Sequence, residues 1–225
     1  MTKDEVRARI EEIGIIPAIR LASAEEARFA AEAIYRAGLT IAEIPLTVPG
    51  ALELISGLRH DFPDMVVGAG TVLDADKARR AMTAGALFIT STGLDMAVVG
   101  LAVEEGVLVL PGALTPTEII NAWKAGADLV KVFPCASLGG DSYIKALKVA
   151  LPQIRLVAGG GVQQHTAGHY ISAGASAIGV GKELITHEAI RFRKQEWILE
   201  LARRFIAIVK NARAVTSSAN VVRFK

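Results

Sequence analysis

Eight short apolar runs recur along this chain at intervals of about 20 to 26 residues, and they limit its fold more than any other feature. They are IIPAIR (15–20), TIAEIP (40–45), MVVGAG (65–70), ALFIT (86–90), VLVLPG (107–112), DLVKVF (128–133), IRLVAG (154–159) and SAIGVG (176–181). Between them lie segments such as SAEEARFAAEAIYRAG and DADKARRAMTAG. These carry apolar residues at helical spacing, and several end in glycine. Ser23 with Glu26, and the TPTE of 115–118, have the form of helix starts. Strands that alternate with helices run parallel through right-handed crossovers. Eight such units close into a (β/α)8 barrel of the TIM type, whereas an open doubly wound sheet needs no count of eight.

The chain has 225 residues, 52% of them hydrophobic, which is enough for one sizeable core. Nothing reads as a linker, so residues 1–225 are taken as a single domain with a barrel core of about 14–185. Residues 2–13 read as a helix that caps the barrel floor. Residues 186–213 read as one long amphipathic helix, an extension that packs on the outer ring or meets another subunit. From Arg191 to Lys225 there are nine basic residues against two acidic. The tail 214–225, AVTSSANVVRFK, reads as a disordered end.

The bulk numbers exclude several classes. A net charge of +2 gives no nucleic-acid or membrane signal. Cys135 is the only cysteine, so no intrachain disulfide can form, which fits a reducing compartment. The first residues, MTKDEVRARIEEIG, are charged throughout and do not resemble a leader. No apolar stretch approaches the roughly 20 residues that span a bilayer. A cytoplasmic protein is expected.

In a parallel barrel the chemistry sits at the C-terminal ends of the strands. Arg20 ends the first strand, and Glu43 lies within the second. Thr71 follows the third, Ser91 and Thr92 follow the fourth, and Lys131 lies within the sixth. GGGV (159–162) follows the seventh. Gly179, Gly181 and Lys182 close the eighth.

Glu43 and Lys131 are the hardest to explain as packing, because such strands are buried on both faces. A buried charge that loses its partner costs about 3–5 kcal/mol. A structural ion pair in the barrel mouth is one reading. The other is chemical: burial favours the neutral form of an amine, and a neutral amine attacks carbonyls to form a Schiff base. A neighbouring carboxylate then moves protons. The glycine loops after the last two strands suit an anion, since bare N–H groups can approach it there.

Other motifs carry less. GAGTVL lacks the third glycine of a dinucleotide fingerprint, and GVGKE lacks both the first glycine and the Ser/Thr of a P-loop. His165 and His169 read as a solvated helix face. Cys135 reads as loop packing.

The motifs AEIPLTVP with Glu43, VGAGTVL (67–73), VKVFP with Lys131, YIKALKVALP (143–152) and GGV (160–162) occur in order. Across about residues 10–185 the chain resembles the 2-keto-3-deoxy-6-phosphogluconate (KDPG) aldolase family, with EIPL and the YIKALK segment nearest its 6-phosphogalactonate branch. That resemblance implies a class I aldolase on a (β/α)8 barrel, a homotrimer that uses no metal or cofactor. It implies Lys131 as the Schiff-base lysine and Glu43 as the acid/base. Cleavage between C3 and C4 then yields pyruvate and glyceraldehyde 3-phosphate. Thr71 and Arg20 match residues that hold the pyruvate half and its carboxylate, and Gly160 and Gly161 match the phosphate loop, beside Gly181.

Three positions depart from the family pattern. Thr47 stands where many members have arginine, Thr92 where many have proline, and Lys182 where a serine usually meets phosphate. Lys182 can hold a phosphate as a point charge or a second carboxylate. 4-Hydroxy-2-oxoglutarate, split to pyruvate and glyoxylate, is therefore an alternative substrate. Two further alternatives are an isomerase with Glu43 as base and a non-catalytic barrel that binds sugar-acid phosphates. Metal-dependent chemistry lacks a cluster of His and carboxylates at the strand ends.

Overall fold

The structure, a computed structural model, describes residues 1–222, with side chains to Val215. The strands are β1 (Ile15–Pro17), β2 (Ile41–Pro45), β3 (Val66–Gly70), β4 (Phe88–Thr90), β5 (Leu108–Leu110), β6 (Gly112–Ala113), β7 (Val130–Val132), β8 (Leu156–Gly159) and β9 (Ala177–Val180). The helices are α1 (Lys3–Ile13), α2 (Ala24–Arg36), α3 (Ala51–Asp61), α4 (Ala75–Thr83), α5 (Met96–Glu104), α6 (Pro116–Lys124), α7 (Asp141–Ala150), α8 (Gln164–Ser172), α9 (His187–Arg191) and α10 (Gln195–Val222).

All strand pairs run parallel. They form two arcs, β1-β9-β8-β7-β6 and β2-β3-β4-β5. The arcs meet twice. Ala18 bridges Glu43, and the Ile19 N–H donates to the Glu43 carbonyl at 2.9 Å. On the other side β5 and β6 are one strand interrupted at Pro111, which has no N–H to offer a ladder. The result is an α/β barrel of eight staves, and the fifth apolar run supplies two of the nine strand segments.

Side chains alternate across each stave. Ile16, Ile41, Val66, Phe88, Leu108, Leu110, Leu129, Val157 and Ala177 form the interior cluster, closed from below by Val6 and Ile10 of α1. The intervening residues, such as Ala42, Val67, Ile89, Val109 and Val130, face the helices. Thr2 and Glu5 complete a capping box on α1. Arg213 of α10 reaches the carbonyls of Glu11 and Glu12 at the other end of that helix and of Ser176 at 3.1 Å. Its cation thus meets the negative end of the α1 dipole and ties the floor to the ring.

The end of the chain differs from the sequence expectation in two ways. The segment 186–213 is two helices rather than one. Arg193 takes a left-handed conformation (φ 51°), and the Lys194 N–H returns to the Ala189 carbonyl at 2.8 Å. Arg193 is held there by Glu25 and the Phe29 ring. Helix α10 also runs on to Val222, because no glycine or proline occurs after Gln195 to stop it. Residues 223–225 of the tail lie outside the described residues. Ile198, Ala202, Phe205 and Val209 form the buried stripe of α10, which packs against α8 and α2. That position makes α10 the eighth helix of the ring rather than an addition to it.

Phe88 fills the barrel beside Gly68, where a Cβ would collide with its ring. Gly68→Ala is expected to destabilise the fold by about 1–3 kcal/mol through overpacking. Adding Phe88→Leu should recover part of that loss. Urea denaturation of the two single variants and the double variant measures the coupling.

Candidate functional site

Lys131 owes its position to strand phase. Leu129 faces the barrel interior and Val130 the helices, so Lys131 turns inward again. On β2, Ile41 faces in, Ala42 out and Glu43 in. The two charges meet: Lys131 Nζ donates to Glu43 Oε2 at 3.4 Å, with side chains 11% and 4% exposed. The bond is longer than the ~2.7–2.9 Å of a tight charge-assisted pair. The ammonium also lies 5.6 Å from the Phe133 ring centroid.

Glycines make room for this pair. A Cβ on Gly70 would lie 2.7 Å from Glu43 Cδ, so only a bare Cα there lets the carboxylate lie across β3. A Cβ on Gly159 would come within 3.2 Å of Lys131 Cε.

Arg20 ties three strand ends together. Its Nη2 donates to Thr71 Oγ1 at 3.0 Å and its Nη1 to Thr47 Oγ1 at 3.4 Å. Thr71 is left-handed (φ 55°), which is costly for a β-branched residue and marks a place where position outweighs backbone comfort. Thr92 sits on a short loop that Ser91 fastens. The Ser91 hydroxyl donates to the Gly93 carbonyl at 2.6 Å and accepts from the Gly112 N–H at 3.3 Å.

A cavity of about 650 Å³ opens above the pair. Arg20, Glu43, Thr92 and Lys131 line it. Gly160, Gly161, Gly181 and Lys182 line it too. Gly160 and Gly161 have φ of 81° and 85°, and Cβ atoms there would strike Pro134 and Ala136, so the loop is folded tightly onto the residues after β7. Thr47 and Thr71 reach the cavity through Arg20 rather than by lining it. The expected site residues therefore converge. Sequence reasoning missed Phe133, Gln163 and His187, which share the cavity. Phe133 was detectable, since it follows Lys131 by two residues in an inward phase.

A second hollow, of about 290 Å³, lies between the loop after β2 and the first turns of α3 and α4, lined by Glu53, Lys77 and Arg80, and neither Glu43 nor Lys131 borders it. His165 and His169 are exposed on α8. Cys135 is buried in the turn after β7 and donates to the Gly140 carbonyl at 3.5 Å.

Chemically, the floor combines an amine and a carboxylate in a nearly dry interior. A guanidinium, a glycine loop and a second lysine share the cavity above it. That arrangement can hold a molecule with an anionic group at each end and a carbonyl over Lys131.

A model of the "KDPG and KHG aldolase" family matches residues 6–201. A 2-dehydro-3-deoxy-phosphogluconate aldolase of Haemophilus influenzae is 30% identical over 93% of this chain and 99% of its own. A 2-dehydro-3-deoxy-6-phosphogalactonate aldolase of Escherichia coli is 34% identical over 76% of this chain and 83% of its own. The crystal structure of KDPG aldolase from Legionella pneumophila, with pyruvate captured as a covalent carbinolamine, superposes with a TM-score of 0.82. It is 27% identical and covers 88% of this chain and 96% of its own.

Burial pushes the Cys135 thiol up to about 11, helped by Asp141. A disulfide exchange reagent at pH 8 is expected to leave the folded protein unmodified, because little thiolate exists and none is accessible. One equivalent should react after unfolding in guanidinium, read at 412 nm against time.

Proposed function

The chain belongs to the KDPG and KHG aldolase family and is an aldolase, and on that premise we propose how its site works and on what. It is a class I aldolase that cleaves 2-keto-3-deoxy-6-phospho sugar acids, of the phosphogluconate or phosphogalactonate type, to pyruvate and glyceraldehyde 3-phosphate. The observation that carries this reading is the Lys131–Glu43 pair at the base of the cavity.

The steps follow from the geometry. Arg20 takes the substrate carboxylate, with Thr71 and Thr47 steadying its guanidinium. Thr92 borders that half. The Lys131 amine attacks the C2 carbonyl, and water leaves the carbinolamine to form an iminium. Glu43 accepts the proton of the C4 hydroxyl as the C3–C4 bond breaks. The bonding electrons pass into the iminium, giving an enamine, and the aldehyde departs. Glu43 then returns a proton to C3, and hydrolysis releases pyruvate. Gly160, Gly161, Gly181 and Lys182 face the far end of the substrate, where the phosphate would lie.

A second reading is supported by Lys182. It lines the cavity and, among the described residues, takes part in no ion pair. A lysine there suits a small dicarboxylate as well as a phosphate, so 4-hydroxy-2-oxoglutarate is the alternative substrate. The rest of the family reading is carried with it: one domain over residues 1–225, a homotrimer and a cytoplasmic location. Leu73 and Met96, both more than half exposed, leave apolar surface for a subunit contact. Among the described residues no helix is long and apolar enough to cross a membrane.

Borohydride reduction in the presence of pyruvate tests the reading. The intact mass should rise by one reduced adduct, mapped to Lys131. Lys131→Ala should take no adduct, fold normally and lose turnover by at least about 10³-fold. Near-native turnover in that variant would sink the mechanism. Lys182→Ala should raise KM about tenfold for phosphorylated substrate, the loss of one charge-assisted bond. A smaller rise is expected for 4-hydroxy-2-oxoglutarate, and equal effects would remove Lys182 from the phosphate site.

A further inference from the structure

Thr90 ends β4, is only 1% exposed, and its hydroxyl has no hydrogen-bond partner among the described residues. Strand phase decides where it points. Phe88 belongs to the interior cluster and Ile89 to the outer one, so Thr90 turns inward. Its ladder partner Leu110 also faces the interior. On the other side Ala69 pairs with Ile89, so one step on Gly70 lies beside Thr90. Gly70 is the residue whose missing Cβ leaves space for the Glu43 carboxylate. The unpaired hydroxyl and the carboxylate therefore occupy the same layer of the barrel.

We infer that Thr90 is a positioning residue for Glu43, donating its hydroxyl to the carboxylate once Lys131 has become an iminium. The inference rests on the Schiff-base reading above. A free ammonium has three N–H groups and gives one to Glu43. The iminium nitrogen, bonded to the substrate carbon and to Cε, keeps only one. Glu43 must also turn from the lysine toward C3 and the C4 oxygen. A carboxylate released into an apolar interior requires another donor. Thr90 lies in that layer and has no other bond to give up. Its proton stays on its own oxygen, and the transferred proton moves only between Glu43 and the substrate.

A packing role predicts something different. A threonine serving only as a valine-shaped filler would be replaced by valine with no kinetic effect. The test compares the full-length wild type with Thr90→Val and Thr90→Ser. One readout is borohydride trapping of pyruvate on Lys131, which reports imine formation. The other is deuterium exchange into the pyruvate methyl group in D2O, followed by NMR, which reports proton transfer by Glu43.

Thr90→Val is expected to melt at or above the wild-type temperature, since it removes an unpaired buried hydroxyl. It should trap pyruvate as fully as the wild type. Its exchange rate should fall about 10- to 100-fold, the strength of a hydrogen bond to a charged group. Thr90→Ser should recover most of that rate. Wild-type exchange in Thr90→Val, or a serine variant no faster than the valine one, would overturn the inference. If Thr90→Val does not fold, Thr90→Ala removes the hydroxyl without added bulk and carries the same expectations. A wild type that traps no pyruvate would instead overturn the Schiff-base reading, and this inference with it.

Discussion

One ion pair sets the terms for the upper half of this barrel. Lys131 and Glu43 point into an interior built mainly from aliphatic side chains and Phe88, with Thr90 and Phe133 beside the pair. Neither charge could stay there alone, because desolvation would not be offset. The surroundings follow from that need. Gly70 and Gly159 leave space for the two side chains. Below them the interior is filled, by Phe88 against Gly68 and by Val6 and Ile10 of α1, so water approaches from the mouth only. The pair is thus paired, dry on one side and open on the other, which is the environment a reactive amine requires. A tight bidentate contact would have stabilised the charges better, but the 3.4 Å separation leaves the amine free to exchange its partner for a substrate.

Much of this was legible in the sequence, because burial in a parallel barrel leaves a strong mark. The apolar runs located every stave, and a charge in the inward phase of two of them picked out the pair at the base of the cavity. The parts that were not legible depend on local geometry. The break of the fifth stave at Pro111 did not show within the run 107–112, since a missing N–H matters only once its ladder partner is known. The turn at Arg193 had no glycine to announce it. It is held by Glu25 and Phe29, which lie more than 160 residues away in sequence. The segment 186–213 read as one extension outside the eight units, because α9 and the turn after it stand between β9 and α10. Only its packing between α8 and α2 identifies it as the last helix of the ring.

Thr90 shows a subtler failure. In ALFIT a terminal threonine reads as a good β residue, and its β-branch hides its hydroxyl. Register is what separates filler from function. Slipped by one residue it would face the helices among Val109 and Ile89, and its hydroxyl would have no bearing on the site. A buried polar atom left unpaired in a fold that satisfies nearly all the others is a signal that only a structure can provide.

The departures from the family pattern fall on one side of a physical boundary. Lys131 and Glu43 lie in ladders, where each backbone group is paired and a shift of one residue would reverse every side chain. Thr47, Thr92 and Lys182 all lie beyond the strand ends, on loops whose backbone answers to fewer partners. The loop that carries Thr92 is fastened through the Ser91 hydroxyl and by backbone packing against Gly112, neither of which involves the Thr92 side chain. The same separation divides the chemistry. In the proposed mechanism an iminium on the floor engages only a carbonyl next to a carboxylate. The rim reads what lies at the other end of the molecule. On that reading a lysine in place of a serine changes the anion site at the rim and none of the residues of the bond-breaking step. In the proposed mechanism substrate choice therefore falls to residues outside the ladders, on loops that tolerate change better than the strands do.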